Sequence, residues 1–181
     1  MAENRKENFF PVELDFANVG GCLFTSLFVL GNIIFPWLVH TIPQGGLKFL
    51  PIYFFVLVSS YKFGWKVGIL TAVLSPIANT ILTGMPPAAM LPAILVKGAA
   101  LVLAASAVSF GTKKLSILNL GLVVIGYQAL GTFFDAAYSG SVQKALSDFA
   151  LGWPGLLIQV FGGYAILKLL GTYRPLGKSA A

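Results

Sequence analysis

The chain has 181 residues, of which 57% are hydrophobic and only 10% charged, against about 25% charged in an ordinary soluble domain. That balance excludes a water-soluble globular fold. The formal charge of +6 sits in small basic clusters rather than in a continuous stripe, which argues against nucleic acid as a partner. Between the clusters lie apolar runs about 20 residues long, enough for a helix to cross a bilayer. The sequence therefore predicts an all-α integral membrane protein with six transmembrane helices and both termini cytoplasmic.

In chain order, residues 1–16 read as a cytoplasmic tail carrying Arg5 and Lys6. They hold no apolar core followed by a cleavage site, so the first helix is expected to act as the insertion signal. The membrane domain, 17–171, is predicted to contain helices at 17–39, 47–61, 64–83, 90–110, 115–137 and 152–170, followed by a cytoplasmic tail at 172–181. The second helix is the shortest. It starts beside Gly45-Gly46, contains Pro51 and soon meets Tyr61-Lys62, and a five-span reading would make it re-entrant. Gly and Pro set tight turns at 40–46 and 83–90, with Gly84–Pro87 a candidate lid. The longest loop is expected at 138–149.

Basic residues test this arrangement, because Lys and Arg in short loops collect on the cytoplasmic side. Arg5, Lys6, Lys62, Lys66, Lys113, Lys114, Lys168, Arg174 and Lys178 fall on one side, nine in all, and only Lys48 and Lys144 on the other. Six spans with cytoplasmic termini fit that split. Five spans would place the termini on opposite sides.

A polar group in hydrocarbon costs free energy unless something satisfies it, so the intramembrane amides and charges carry the most information. Asn32, Asn79, Gln128 and Gln159 belong to four different predicted helices, each in the extracellular half, and Lys97 and Asp135 lie in the same half. The cytoplasmic halves hold mainly hydroxyls such as Thr71, Ser106 and Ser109. This asymmetry predicts a polar chamber open to the outside above a closely packed apolar half. Helical spacing places Gln128, Thr132 and Asp135 on one face, and Ser75, Asn79 and Thr83 on another. Gly152, Gly155, Gln159 and Gly163 make a narrow face with Trp153 at its outer end. Small residues and amides also serve as interhelical packing and glue, so both roles stay open for them.

Lys97 falls about 10 Å below the outer end of its helix, at ~1.5 Å per residue. A charge there needs water, a counter-ion or a ligand anion. Asp135 is the candidate counter-ion, while a carboxylate, phosphate or carbonyl of a small solute is the alternative. Phe133, Phe134, Tyr138 and Trp153 either pack a heterocycle or anchor the chain at the interface. The candidate substrate-binding set is thus Asn32, Asn79, Thr83, Lys97, Gln128, Asp135, Tyr138, Trp153 and Gln159. One cysteine, Cys22, and one histidine, His40, form no recognisable zinc or haem ligand set, and neither a metal nor another cofactor is expected. No nucleophile stands beside an evident base, and the chain lacks the Gly-x4-Gly-Lys-Ser/Thr nucleotide loop.

At Phe63-Gly-Trp-Lys-Val-Gly68, Leu74-Ser-Pro-Ile-Ala-Asn79, Leu82-Thr-Gly-Met-Pro-Pro87 and Met90-Leu-Pro92, the sequence resembles the substrate-binding S components of energy-coupling factor (ECF) vitamin transporters. The resemblance implies a six-helix, non-enzymatic subunit of a bacterial cytoplasmic membrane. Such a subunit captures a water-soluble vitamin or its precursor from outside and associates with a transmembrane coupling subunit and two ATPase subunits. It further implies a pocket built from outer loops and later helices. Family members dock on the coupling subunit through an Ala-x-x-x-Ala pattern in the first helix. The nearest matches here are Ala17-x-x-x-Gly21-x-x-x-Thr25 and Cys22-x-x-x-Ser26, and this departure keeps a solitary uptake protein as an alternative. A membrane-embedded enzyme using Lys97 or Asp135, and a structural assembly subunit, are the remaining rivals.

Overall fold

Helix α1 (Val19–Val39) shows how these sequences sort their faces. Gly21, Thr25, Phe28, Asn32, Pro36 and Val39 recur at helical spacing and are buried, while Leu23, Leu27, Leu30, Ile34 and Trp37 on the other faces are exposed. An apolar surface of this extent belongs in hydrocarbon rather than water. The computed structural model describes residues 9, 11–15 and 19–171, the side chains of Lys144 and Asp148 excepted. Ala17, Arg5, Lys6 and the predicted C-terminal tail lie outside the described residues.

After α1 the chain forms a short helix α2 (Gly45–Phe49), the long helix α3 (Pro51–Thr83), a 3-10 turn (Ala88–Met90), α4 (Leu91–Thr112), α5 (Ile117–Ser139), α6 (Val142–Leu151), α7 (Trp153–Leu157), a π-helical turn (Ile158–Gly162) and α8 (Gly163–Leu170). Every regular element among the described residues is helical. Five stretches have the length and apolarity of a membrane span: Val19–Val39, Gly45–Thr83, Ala88–Thr112, Ile117–Ser139 and Trp153–Leu170. The second and third helices expected from the sequence thus fall within one 39-residue run.

That run is not straight. Gly64 has φ 84 and ψ −178, a region open essentially to glycine alone, and the helical path stops there. Ser60 and Gly68 would lie about 12 Å apart along a continuous helix, yet the Ser60 hydroxyl occupies the space a Cβ on Gly68 would need. The chain therefore doubles back at Gly64, and α3 is a hairpin of two helical arms, 51–63 and 65–83. Contacts with α1 follow from it. Phe63 stacks on Phe24 near the reversal, and Phe55 packs against Gly31 farther along. The first arm spans only about 20 Å, short of the ~30 Å hydrocarbon core, and it is enclosed by its neighbours. Val56, Leu57, Val58, Tyr61 and Phe63 are each fully buried.

A helix that ends leaves its last four carbonyls without intrahelical donors. At the end of the first arm each finds one. Ser106 Oγ donates to the Ser60 carbonyl at 3.4 Å and Ser109 Oγ to that of Tyr61 at 2.5 Å. The backbone N–H groups of Val12 and Leu14 donate to the carbonyls of Lys62 and Phe63 at 2.8 and 3.2 Å. Residues 11–15 thus lie as an extended strap over the reversal, anchored by buried Leu14 and by a 2.7 Å ion pair between Asp15 and Lys66. Phe9 is buried there too, its ring 5.5 Å from that of Tyr61. Lys62, expected in a solvated loop, is fully buried with its ammonium 5.1 Å from the Phe9 ring centre.

Two further differences from the sequence reading have simple causes. The segment expected as a loop at 138–149 contains α6, because Val142, Ala145, Leu146 and Phe149 recur at i, i+3, i+4 and i+7, the pattern of an amphipathic helix. The last predicted helix is divided by the π-helical turn at Ile158–Gly162.

Replacing Gly64 with alanine forces a side chain into a glycine-only conformation and is expected to cost about 1–3 kcal/mol. Ser109→Ala orphans a buried carbonyl and should cost a similar ~1–3 kcal/mol. Thermal unfolding of the detergent-purified protein checks both, with Ser116→Ala at the α5 N-cap expected to cost about 1 kcal/mol as a scale.

Candidate functional site

The end of the bundle away from Gly64 holds the paired charges of α4 and α5. Lys97, in the second turn of α4, forms an ion pair with Asp135 near the end of α5. Both side chains are largely enclosed, at 12% and 18% exposure. Gly131, one turn before Asp135, makes this approach possible. The lysine methylenes lie directly over its Cα face, in space a Cβ would fill. Lys97 thereby reaches along α5 to the carboxylate.

Below the pair on the same face of α5, Gln128 is 1% exposed and its Oε1 has no hydrogen-bond partner; the Thr132 Oγ1, between them, is likewise buried and unsatisfied. Across from α5, Gln159 is fully buried on the π-helical turn. Its Oε1 accepts a hydrogen bond from Tyr127 Oη at 2.8 Å, while its Nε2 has no partner. The Tyr127 ring lies 5.5 Å from that of Tyr53. Gly155 rests against the Phe49 backbone and Gly162 against the Phe54 ring, so small residues let the last helical segment approach α2 and α3 closely. π-helical turns inside α-helices occur often at functional sites. Orphaned buried polar atoms cost about 1–3 kcal/mol each, and they ask for water or a bound molecule.

Asn32 and Asn79 form a separate group. Asn32 Nδ2 donates to Ser75 Oγ at 3.0 Å, and Asn79 Nδ2 donates to the carbonyls of Asn32 at 2.7 Å and Ser75 at 2.9 Å. These bonds tie α1 to the second arm of α3, leaving Asn32 Oδ1 unsatisfied. Thr83 donates through Oγ1 to the Asn79 carbonyl at 2.7 Å and lies in the exposed turn ahead of Gly84. Tyr138 and Trp153 are exposed, at 62% and 59%, and Tyr138 stacks on Phe134 with ring centres 5.9 Å apart. Phe133 instead lines an apolar groove of about 490 Å³ between α5 and α6, with Thr132, Ala136, Val142 and Leu146 among its other walls.

Of the candidate docking residues, Gly21 and Thr25 face inward and are buried, whereas Cys22 and Ser26 are on the outer side of α1. Tyr53, Tyr127 and Gly131 are missing from the sequence-derived set. The signal for Gly131 was available, since it lies four residues before Asp135 and shares its face. The two tyrosines carried none, because aromatics in an apolar run look like packing.

Fold and site together define a helical, multi-pass membrane protein with an enclosed ion pair and unsatisfied amides toward one end. No protein-family model matches the chain, and neither curated proteins nor solved structures provide a match.

Asn79→Ala removes the donation to the Asn32 carbonyl of α1 and the one to Ser75 within α3, and is expected to destabilise the protein by about 1–3 kcal/mol. Thr83→Ala, in an exposed turn, should change stability by no more than ~0.5 kcal/mol. Thermal unfolding of the two variants side by side tests whether Asn79 holds α1 to α3.

Proposed function

We propose that the chain is the substrate-binding membrane subunit of an ECF-type ATP-driven importer, with six spans, cytoplasmic termini and a place in the bacterial cytoplasmic membrane. Its partners on this reading are a transmembrane coupling subunit, two ATPase subunits and a water-soluble vitamin or precursor. The resemblance at residues 63–92 supports the class. The observation that carries the site is the Lys97–Asp135 pair over Gly131 beside the unsatisfied Gln128. A buried ion pair is weak evidence for stability, because desolvation offsets much of its attraction, and this supports a role in binding.

Lys97 and Asp135 neutralise each other. A solute bringing only an anion would draw the lysine away and leave an enclosed carboxylate without counter-charge, at a cost of several kcal/mol. The pair therefore favours solutes that are neutral overall and carry both a donor and an acceptor. Gln128 Oε1 and Gln159 Nε2 supply one acceptor and one donor beyond the pair. ATP hydrolysis belongs to partner subunits.

The inward position of Gly21 and Thr25 favours a second reading, a solitary uptake protein, since only Cys22 and Ser26 of the described docking residues are presented outward. Uptake assays with and without the coupling subunit and ATPases separate the two.

Mass spectrometry of the gently purified protein is expected to find a retained small organic molecule. Binding of that molecule should weaken at least about tenfold in Lys97→Met, the loss of roughly one charge-assisted hydrogen bond, and Gln128→Ala should weaken it as well. Unchanged affinity in both variants overturns the site, and no bound or transported solute overturns the importer.

A further inference from the structure

We propose that the cavity at the Gly64 end of the bundle binds the ammonium headgroup of phosphatidylethanolamine. It is lined by Glu13, Gly64, Trp65, Ser106, Ala107 and Phe110. It lies at the opposite end from Lys97 and does not depend on the transport reading. Its volume of about 290 Å³ falls just under the ~300–1,000 Å³ of pockets for drug-sized ligands. A headgroup fits there better than a vitamin.

Glu13 is the residue that sets the charge. Its neighbours Val12 and Leu14 hold the strap to the carbonyls of Lys62 and Phe63, and alternation along an extended segment turns Glu13 to the opposite face. Asp15 is engaged by Lys66 at 2.7 Å. Among the described residues Glu13 has no hydrogen bond or ion pair. Its carboxylate is exposed at the rim of the cavity, within electrostatic reach of a Lys66 that is already bonded to Asp15, and presents a negative charge to an incoming cation.

The walls suit a cation as well. Trp65, 50% exposed, and Phe110 supply aromatic rings, whose faces attract ammonium groups. Gly64 forms the floor, where a Cβ would stand 3.3 Å from the Phe110 ring and 3.6 Å from Glu13 Cγ. Ser106 Oγ uses its proton on the Ser60 carbonyl, which leaves its lone pairs to accept. A primary ammonium has three N–H groups to give, and a choline headgroup has none. Lys113 caps α4 in a left-handed conformation and Lys114 follows it, both exposed just beyond Phe110 at this end of the bundle, and they place positive charge for the lipid phosphate. Carboxylate and aromatics for the amine, with lysines beyond for the phosphate, match a zwitterionic lipid rather than an anionic one. The half-exposed indole marks the level where interfacial tryptophans meet headgroups.

The test uses the full chain in nanodiscs containing equal parts phosphatidylethanolamine, phosphatidylcholine and phosphatidylglycerol with identical acyl chains, and counts retained lipids by native mass spectrometry. The wild type is expected to retain phosphatidylethanolamine about tenfold over phosphatidylcholine, the worth of a charge-assisted hydrogen bond. Glu13→Gln, nearly isosteric, should abolish that preference. Trp65→Leu should reduce it, Trp65→Phe should keep most of it, and these two variants at a half-exposed position carry the test if Glu13→Gln does not fold. Equal retention of the two lipids by the wild type, a preference unchanged in Glu13→Gln and Trp65→Leu, or preferential retention of phosphatidylglycerol overturns the assignment.

Discussion

A helix that stops where packed neighbours exclude water leaves carbonyls that only the protein can satisfy. The reversal at Gly64 creates this problem, and the neighbouring elements are placed to meet it. Ser106 and Ser109 are three residues apart on α4 and donate to successive carbonyls, Ser60 and Tyr61, which fixes the axial register of α4 against the first arm of α3. Tyr61 Oη in turn donates to the Lys114 carbonyl at 2.7 Å, binding the α4–α5 turn to the same end. The strap completes the set with main-chain donors, which no side-chain substitution within it removes unless the substitution is proline.

From this closed end the polarity changes along the bundle. Around Gly64 the freed backbone groups are answered one by one, and the core above them is Val56, Leu57, Val58 and Leu101, all fully buried. Buried side-chain atoms without partners are found on Thr25 near the closed end and, farther along, on Asn32, Gln128, Thr132 and Gln159. A protein that can satisfy four carbonyls with serines and a strap at one end is able to place donors where it needs them. The four unmatched atoms farther along belong to the amides and the hydroxyl around the Lys97–Asp135 end of the bundle, and buried polar atoms of this kind ask for water or a bound partner.

Much of the helical architecture was legible because hydrocarbon solvent makes hydrophobic length a strong signal. The ends of α1, α4 and α5 fall within about two residues of expectation, the ordinary disagreement between ways of bounding a helix. Two elements were harder, for different reasons. The reversal within α3 falls where the sequence separates helices at 47–61 and 64–83, but the donors that satisfy it come from α4 and the strap, contacts remote in sequence. Helix α6 lies in the segment expected as the longest loop, although its apolar residues keep helical spacing; an amphipathic period shorter than a span is easily passed over when span length is the criterion.

The candidate site was legible in its charges and less so in its geometry. Lys97 and Asp135 stand out in any apolar sequence because each costs several kcal/mol to bury alone, and their pairing needed only the antiparallel course of α4 and α5. The amides were ambiguous for a physical reason. The same carboxamide serves as glue or as ligand contact, and for these two the difference lies in whether the amide donor is used. Asn79 spends its amide nitrogen on the Asn32 carbonyl of α1 and on the Ser75 carbonyl one turn back in its own helix, and so holds α1 to α3. Gln159 spends only its oxygen, on Tyr127, and keeps its donor group. That distinction is set by which helix faces which, and a count of polar residues along the chain cannot contain it.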